Sequence, residues 1–260
     1  MKKTFLFLVL LLSASAWSIQ KDFSRSMTFP FSSGYKIDGV ARNVIYLTID
    51  DGPTPAGTPA MLDVLLKHGV KGTFFVHGDQ AVRRPYLLER MYLEGHLVAN
   101  HSYSHQTDFP SKSSFESSLM RTHDIIAPYI APENIMLYRA PGGVWNTWRS
   151  SIGNNHRVLS EYVGPLFWNV GGGKPGSQDD ADWKCWRRGN GVTVSSCANS
   201  YYRQILSNYS RNQASLVLLH DVKSLSARLV DELLTKLKRD RVDWEFRLAD
   251  DMPIVRQMAR

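Results

Sequence analysis

Cysteine is nearly absent: Cys185 and Cys197 are the only two in 260 residues. No further cysteine or histidine sits around them at ribbon spacing, which argues against structural zinc there. Two cysteines so close in an exported chain are expected to pair as a disulfide, worth about 3 kcal/mol in the chain-entropy model. Long apolar runs are missing too. The stretch over residues 5–12 is too short to cross a bilayer and lies between Lys2-Lys3 and Ser13-Ala14-Ser15-Ala16. Residues 1–16 therefore read as a secretory signal peptide. No cysteine sits at the expected cleavage site after Ala16, which argues against a lipid anchor. The expected product is exported, periplasmic or secreted, with no transmembrane anchor. The formal charge of +7 is spread rather than clustered, which favours an anionic surface or polymer and gives no sign of nucleic-acid binding. No internal repeat is visible.

What is present is an alternation of short apolar runs and helical patterns. Residues 17–43 are polar and irregular and read as a lead-in packed on the domain formed by 44–260. Val44-Ile45-Tyr46-Leu47-Thr48-Ile49 is a β-branched apolar run that reads as a buried parallel strand. Thr58 is expected as an N-cap with Pro59 as first helical residue, on a helix ending at Gly69. Strands are predicted over 70–76, 97–100, 135–138, 166–170, 216–219 and 244–248. Further helices are predicted over 85–94, 115–130, 145–152, 199–209 and 226–238. Such alternation means an α/β fold with a parallel sheet, open or closed into a barrel.

Four strands end in residues able to do chemistry: Asp50-Asp51, His101-Ser102-Tyr103-Ser104-His105, Arg139-Ala140-Pro141-Gly142-Gly143 and His220-Asp221. The C-terminal edge is where α/β folds place their sites. Asp50-Asp51-Gly52 alone is also what a solvated turn looks like, and the convergence of four strand ends argues against that. Side chains alternate along a strand, so Asp50 and Asp51 are expected to point apart and do different jobs. His101 and His105 are four apart and would share one face of a helical turn, a spacing that suits one metal. Ser102 stands where zinc proteases carry a glutamate, so a base must come from elsewhere, and the two aspartates supply one ligand and one base. Two histidines and a carboxylate leave open positions, as catalytic sites do.

Thr48-Ile49-Asp50-Asp51-Gly52-Pro53, the His101–His105 segment, the Arg139–Gly143 segment, Asp179-Asp180-Ala181-Asp182-Trp183 and Leu218-Leu219-His220 together resemble the five ordered motifs of the polysaccharide deacetylases, the NodB-homology domain of family 4 carbohydrate esterases. Gly69 to Val76 is similar to that family's second strand. The resemblance implies a distorted (β/α) barrel, NodB-like, that removes acetyl groups from N-acetylated glycans with a divalent metal, zinc by default and cobalt, nickel or iron by the same ligands. By motif position Asp51, His101 and His105 would be the metal ligands and Asp50 the general base acting on metal-activated water. Arg139 would hold Asp50, and His220 would be the general acid. Asp182, or else Asp179, would orient His220, with Trp183 and Leu218 shaping the acetyl pocket and Tyr103 beside it. A backbone N–H near Gly142 would face the oxyanion. No serine or cysteine nucleophile is needed.

Three departures stand out. Ile49 replaces the usual phenylalanine. Gly142 replaces an aromatic, which predicts a wider cleft. Residues 171–178 look like an insertion before the Asp-Trp motif. Trp145, Trp148, Trp168, Trp183 and Trp186 fall where the mouth of the site is expected, with Trp186 or Trp148 as a sugar platform; His77 is a further contact or an ordinary core histidine. Peptidoglycan is the expected substrate. Chitin-type oligomers, poly-N-acetylglucosamine and O-acetylated xylan are alternatives, and a silent glycan-binding protein is the alternative of another class.

Overall fold

The computed structural model describes residues 37–172, 182–186 and 192–259. The expected signal peptide, the lead-in up to residue 36, Asp179 and positions 173–178 lie outside the described residues.

The central strand is β1 (Val44–Asp50), buried along its whole length. It pairs in parallel with β2 (Thr73–Val76), with β4 (Ser215–His220) and, at its start, with β5 (Glu245–Arg247). β2 continues to β3 (Leu97–Asn100). Beyond β3 the ring is carried by single parallel bridges: Asn100 with Tyr138, Leu137 with Val163, and Val170 with Val217. The segment from Val163 to Val170 spans the gap, and Leu218 N–H to Val170 O (2.9 Å) brings the pairing back to β4. The sheet is thus a distorted barrel, as the motif resemblance implied.

Predicted strands over 135–138 and 166–170 shrink to these bridges, the second of them for a physical reason. Pro165 has no N–H to give a ladder, and the carbonyls of Leu166 and Phe167 are taken by the Arg139 side chain. The second strand also begins later than expected, at Thr73 rather than residue 70.

Alternation sorts the strand residues into two layers. Ile45, Leu47, Ile49, Phe74, Val76, Val98, Val217 and Leu219 face outward into the larger core. There they meet α1 (Thr58–His68), α3 (Pro85–Leu93), α6 (Val194–Ser210) and α7 (Ser224–Arg239). Val44, Tyr46, Phe75, Leu97, Ala99, Leu137, Val163, Leu166 and Leu216 form a second, inner cluster with Met252 and Val255 beside α8 (Pro253–Met258). Ile37, from the lead-in, is buried in that inner cluster. Tyr46, Thr48 and Asp50 therefore form one inward column, apolar at its start and acidic at its end.

The remaining helices are α2 (Gly78–Ala81), α4 (Lys112–Ile126) and α5 (Thr147–Asn155). Neither α2 nor α8 was expected from the sequence. α1 ends at Gly69 in the left-handed region, φ 64°, as its glycine predicts. Its N-cap is Gly57 and not Thr58, because the Thr58 hydroxyl is bonded to the Asp221 carboxylate instead. Cys185 and Cys197 are joined in a disulfide that ties the 3-10 turn Asp182–Trp186 to α6.

Candidate active site

Asp51 lies one residue past β1 with φ 78°, a conformation uncommon outside glycine. Two backbone bonds hold it there: its N–H donates to Phe75 O (3.2 Å), and Gly52 O accepts from His77 N–H (2.9 Å). The turn sends the two carboxylates apart, as alternation predicts. Asp50 stays with the inward column and Asp51 faces three imidazoles.

Arg139 fills the end of that column and is fully buried. Its Nη1 donates to Asp50 Oδ1 (2.7 Å) and Thr48 Oγ1 (2.8 Å), its Nε to Leu166 O (2.8 Å) and its Nη2 to Phe167 O (3.2 Å). The guanidinium also sits 4.2 Å from the centre of the Phe75 ring. Burial lowers its pKa and the Asp50 charge works against that. A buried charge of each sign is tolerable here because each satisfies the other. Asp50 Oδ2 is left facing His101 Nε2 at 3.7 Å.

His101 and His105 do not share a helical turn, contrary to expectation. Ser102 has φ 67°, and its N–H is taken by the Asn100 side chain (2.9 Å), so the segment bends sharply instead. The bend still brings both Nε2 atoms to Asp51 Oδ1, at 3.4 Å from His101 and 3.9 Å from His105. Burial would raise the Asp51 pKa, and the His101 and His77 imidazoles outweigh it, holding the carboxyl well below its ordinary range.

Ligand atoms of Asp51, His101 and His105 all lie within 4.8 Å of one another. The tautomer of His101 tests whether they suit a metal. Its Nδ1 lies 2.8 Å from Arg139 O, and a carbonyl only accepts, so Nδ1 carries the proton and Nε2 carries a lone pair. That lone pair points at a carboxylate oxygen. Around a shared divalent cation both groups would act as donors, so the set fits a divalent metal.

Across the edge of the sheet, His220 Nδ1 lies 2.7 Å from Asp182 Oδ1 and its N–H donates to Asp182 Oδ2 (2.9 Å). Asp182 is buried and also accepts from Ser226 Oγ (2.5 Å), while its own N–H donates to Tyr201 Oη (3.0 Å). Burial would lower the His220 pKa. The Asp182 charge and hydrogen bond reverse this and push it up to about 10.

The other expected residues divide. Leu218 is buried beside Gly172, and Trp183 is half-buried on the turn that carries Asp182. Gly142 is exposed with φ 60°, its Cα facing Thr107, and the neighbouring Gly143 N–H closes the turn onto Ala140 O (2.9 Å). Tyr103 packs against Gly78 and under Arg121, 3.5 Å from its ring centre. Trp186 stands edge-on to His220 (6.0 Å) with Nε1 on Ser226 Oγ (2.9 Å). Trp145 and Trp148 pack on Phe115 in a separate apolar cluster, and Trp168 lies 5.7 Å from the Arg139 guanidinium.

Ser226 and Arg149 escaped notice in the sequence, and Thr48 and Asp221 stood in its motifs without a role. Thr48 was visible in principle, two residues before Asp50 on the same strand face. Asp221 is buried against Gly52 and Thr58. Arg149 ties the loop of Gly142 to that of His105, donating to Val144 O and to Thr107 O (2.6 Å), and nothing local in the sequence announces it.

Comparison with known proteins agrees with this geometry. Residues 38–157 match the polysaccharide deacetylase family model. The peptidoglycan-N-acetylglucosamine deacetylase PgdA of Listeria monocytogenes is 30% identical over 211 residues, which is 80% of this chain and 38% of that protein. A chitooligosaccharide deacetylase of Sinorhizobium fredii is 38% identical over 109 residues, 42% of this chain and 51% of that one. The chain thus spans between about two fifths and half of the length of these relatives. The peptidoglycan-N-acetylmuramic acid deacetylase PdaA of Bacillus subtilis is 27% identical over 226 residues, 86% of this chain and 76% of PdaA. The solved structure of PdaA, described as a family 4 carbohydrate esterase, superposes with a TM-score of 0.61 at 26% identity, covering 85% of each chain. The fold and the Asp-His-His cluster define an α/β protein of the carbohydrate-esterase type. Over residues 38–157 the chain matches the polysaccharide deacetylase family, and its fold is that of the family 4 carbohydrate esterase PdaA.

Proposed function

We propose that this chain is a metal-dependent hydrolase that removes N-acetyl groups from an aminoglycan, with peptidoglycan as the first substrate. One observation carries the reading: a carboxylate held by Arg139 and an imidazole held by Asp182 stand at paired positions of neighbouring strands, Asp50 with His220, next to the Asp51, His101 and His105 cluster. Deacetylation of an amide needs a base for water, a charge for the carbonyl oxygen and an acid for the leaving amine, and the site offers each separately.

Asp51, His101 and His105 would hold the metal, zinc first among the candidates. When bound it supplies Lewis-acid polarisation of the acetyl carbonyl and of the attacking water, worth several kcal/mol. Asp50 is the general base: Arg139 engages Oδ1 and leaves Oδ2 on the cluster side to take the proton from water. The Gly142 N–H is the donor for the oxygen that gains charge as the carbon is attacked. His220 is the general acid: with Nδ1–H committed to Asp182, its Nε2–H goes to the nitrogen as the C–N bond breaks. Acetate and a free amine are the products.

The substrate follows the relatives, two of which are named for peptidoglycan. The exposed glycine at position 142 supports a cleft open enough for a substituted strand. The disulfide between Cys185 and Cys197 supports an oxidising, exported location, and among the described residues no helix is long and apolar enough to cross a membrane. The test is acetate release from peptidoglycan, from N-acetylglucosamine oligomers and from acetylated xylan by the metal-loaded, chelated and Asp50→Asn proteins. Release from either N-acetylated substrate that disappears in both controls supports the reading, and the better substrate assigns the polymer. Release only from xylan assigns an O-acetyl esterase. No release with metal still bound moves the assignment to a silent glycan-binding protein.

A further inference from the structure

A third imidazole faces Asp51. His77, the last residue before α2, is buried at 4% exposure, and its Nε2 lies 3.1 Å from Asp51 Oδ1, nearer than His101 or His105. Its ring stacks on His101 with centroids 4.7 Å apart and planes 28° apart, and meets His105 edge-on at 5.6 Å. Yet the set of ligand atoms mutually within 4.8 Å contains Asp51, His101 and His105 and leaves His77 out.

The two stacked rings are chemically opposite. His101 spends its proton on Arg139 O through Nδ1 and presents a bare Nε2. His77 Nδ1 has no hydrogen-bond partner among the described residues, while its Nε2 faces an oxygen of a carboxylate that can only accept. The His77 proton therefore sits on Nε2 and is donated to Asp51. One lone pair of Oδ1 takes that proton and another is left for a cation. The backbone fixes the same geometry a second time, since His77 N–H is bonded to Gly52 O at 2.9 Å.

We propose that His77 is a positioning residue for the metal site: it donates Nε2–H to Asp51, sets that carboxylate's orientation, and raises metal affinity without itself coordinating. The proposal rests on the reading of Asp51, His101 and His105 as a metal site. Outer partners of this kind typically contribute 10- to 100-fold in metal affinity.

The test uses the full chain, stripped of metal and titrated with zinc against a chromogenic chelator, with cobalt d–d absorption as a second readout. His77→Leu, which keeps bulk and loses the donor, is expected to bind zinc about 10- to 100-fold more weakly. His77→Gln, whose amide reaches about as far as Nε2, is expected to recover most of the affinity and to keep the wild-type cobalt spectrum. Excess zinc is expected to restore the activity of His77→Leu, because the loss lies in occupancy. Where His77→Leu does not fold, His77→Asn, with its amide too short to reach, takes its place. Unchanged zinc affinity in the Leu or Asn variant overturns the proposal, and so does an altered cobalt spectrum in His77→Gln, which would make His77 a ligand. The metal reading fails separately: wild type taking up no zinc, or Asp51→Ala binding as tightly as wild type, overturns that reading itself.

Discussion

Replacing Asp182 by asparagine isolates the acid half of the proposed reaction. Asparagine keeps the shape and one acceptor for His220 Nδ1–H while the charge is lost, and its NH2 replaces the oxygen that accepts from the His220 backbone N–H and Ser226 Oγ. That charge is the largest influence opposing burial on His220, whose pKa it carries to about 10. Without it, burial pulls the imidazole down toward the ordinary value of about 6.5, against the smaller upward pull of Asp51 and Asp50. A full return to about 6.5 would cut the protonated fraction at pH 8 from nearly all to about 3%, so acetate release is expected to fall by up to about 30-fold. At pH 6 the protonated fraction changes by less than about twofold. The signature is a loss that grows with pH as the alkaline limb of kcat/KM moves down from near pH 10. The assay is acetate release from N-acetylglucosamine oligomers between pH 5 and 10, with a circular-dichroism melt to show that the variant is folded. An alkaline limb that stays where wild type has it, or a loss equal at every pH, refutes the argument that Asp182 acts through the His220 proton.

Other expectations follow from the same site. Asp50→Asn is expected to lower acetate release by about 10²- to 10⁴-fold while leaving zinc affinity within a few-fold, measured by the chelator titration. Gly52→Ala would drive a methyl into the Asp221 carboxylate, and a destabilisation of about 1–3 kcal/mol is expected by denaturant titration; an unchanged midpoint would show that the contact is slack. Asp221 is raised to about 7 by burial, with the Asp51 charge adding to it and Thr58 opposing. Its folded form binds a proton that the unfolded chain has released, so wild type loses stability as pH rises from about 4 to 7; Asp221→Asn is expected to gain relative to wild type between melts at pH 5 and pH 8. Gly142→Tyr is expected to reduce activity on crosslinked peptidoglycan more than on short oligomers. Because φ is 60° there, Gly142→Ala is the control for backbone strain of about 1 kcal/mol.

Legibility in the sequence followed the range of the interaction. β1 could be read because its run is apolar and rich in β-branched residues on both faces, β3 because its short apolar run lies between Gly95 and His101, and α1 and α3 because glycine stops them. The segment over 166–170 could not be read correctly, since what limits it to a bridge is the distant Arg139 side chain occupying two of its carbonyls. The site was legible as motifs: Asp50, Asp51, His101, His105, Arg139 and His220 all meet at one edge. The helical turn expected for the histidine pair was wrong because Asn100 captures the Ser102 N–H and forces a bend. His77 and Asp221 were visible as residues, but their contacts arise only where the β1 turn crosses β2 and α1.

The cross-link from Cys185 to Cys197 has a bearing on timing. The base and the three cluster ligands, with Arg139, come from the first 139 residues and are fixed by the sheet. Asp182 instead rides on a five-residue turn anchored by one covalent bridge to α6 and by hydrogen bonds to Tyr201, Ser226 and His220. In order of synthesis the proposed water-activating half is thus complete by residue 139, whereas the proposed amine-protonating half is complete only with His220, and its covalent anchor closes only once two thiols have been oxidised.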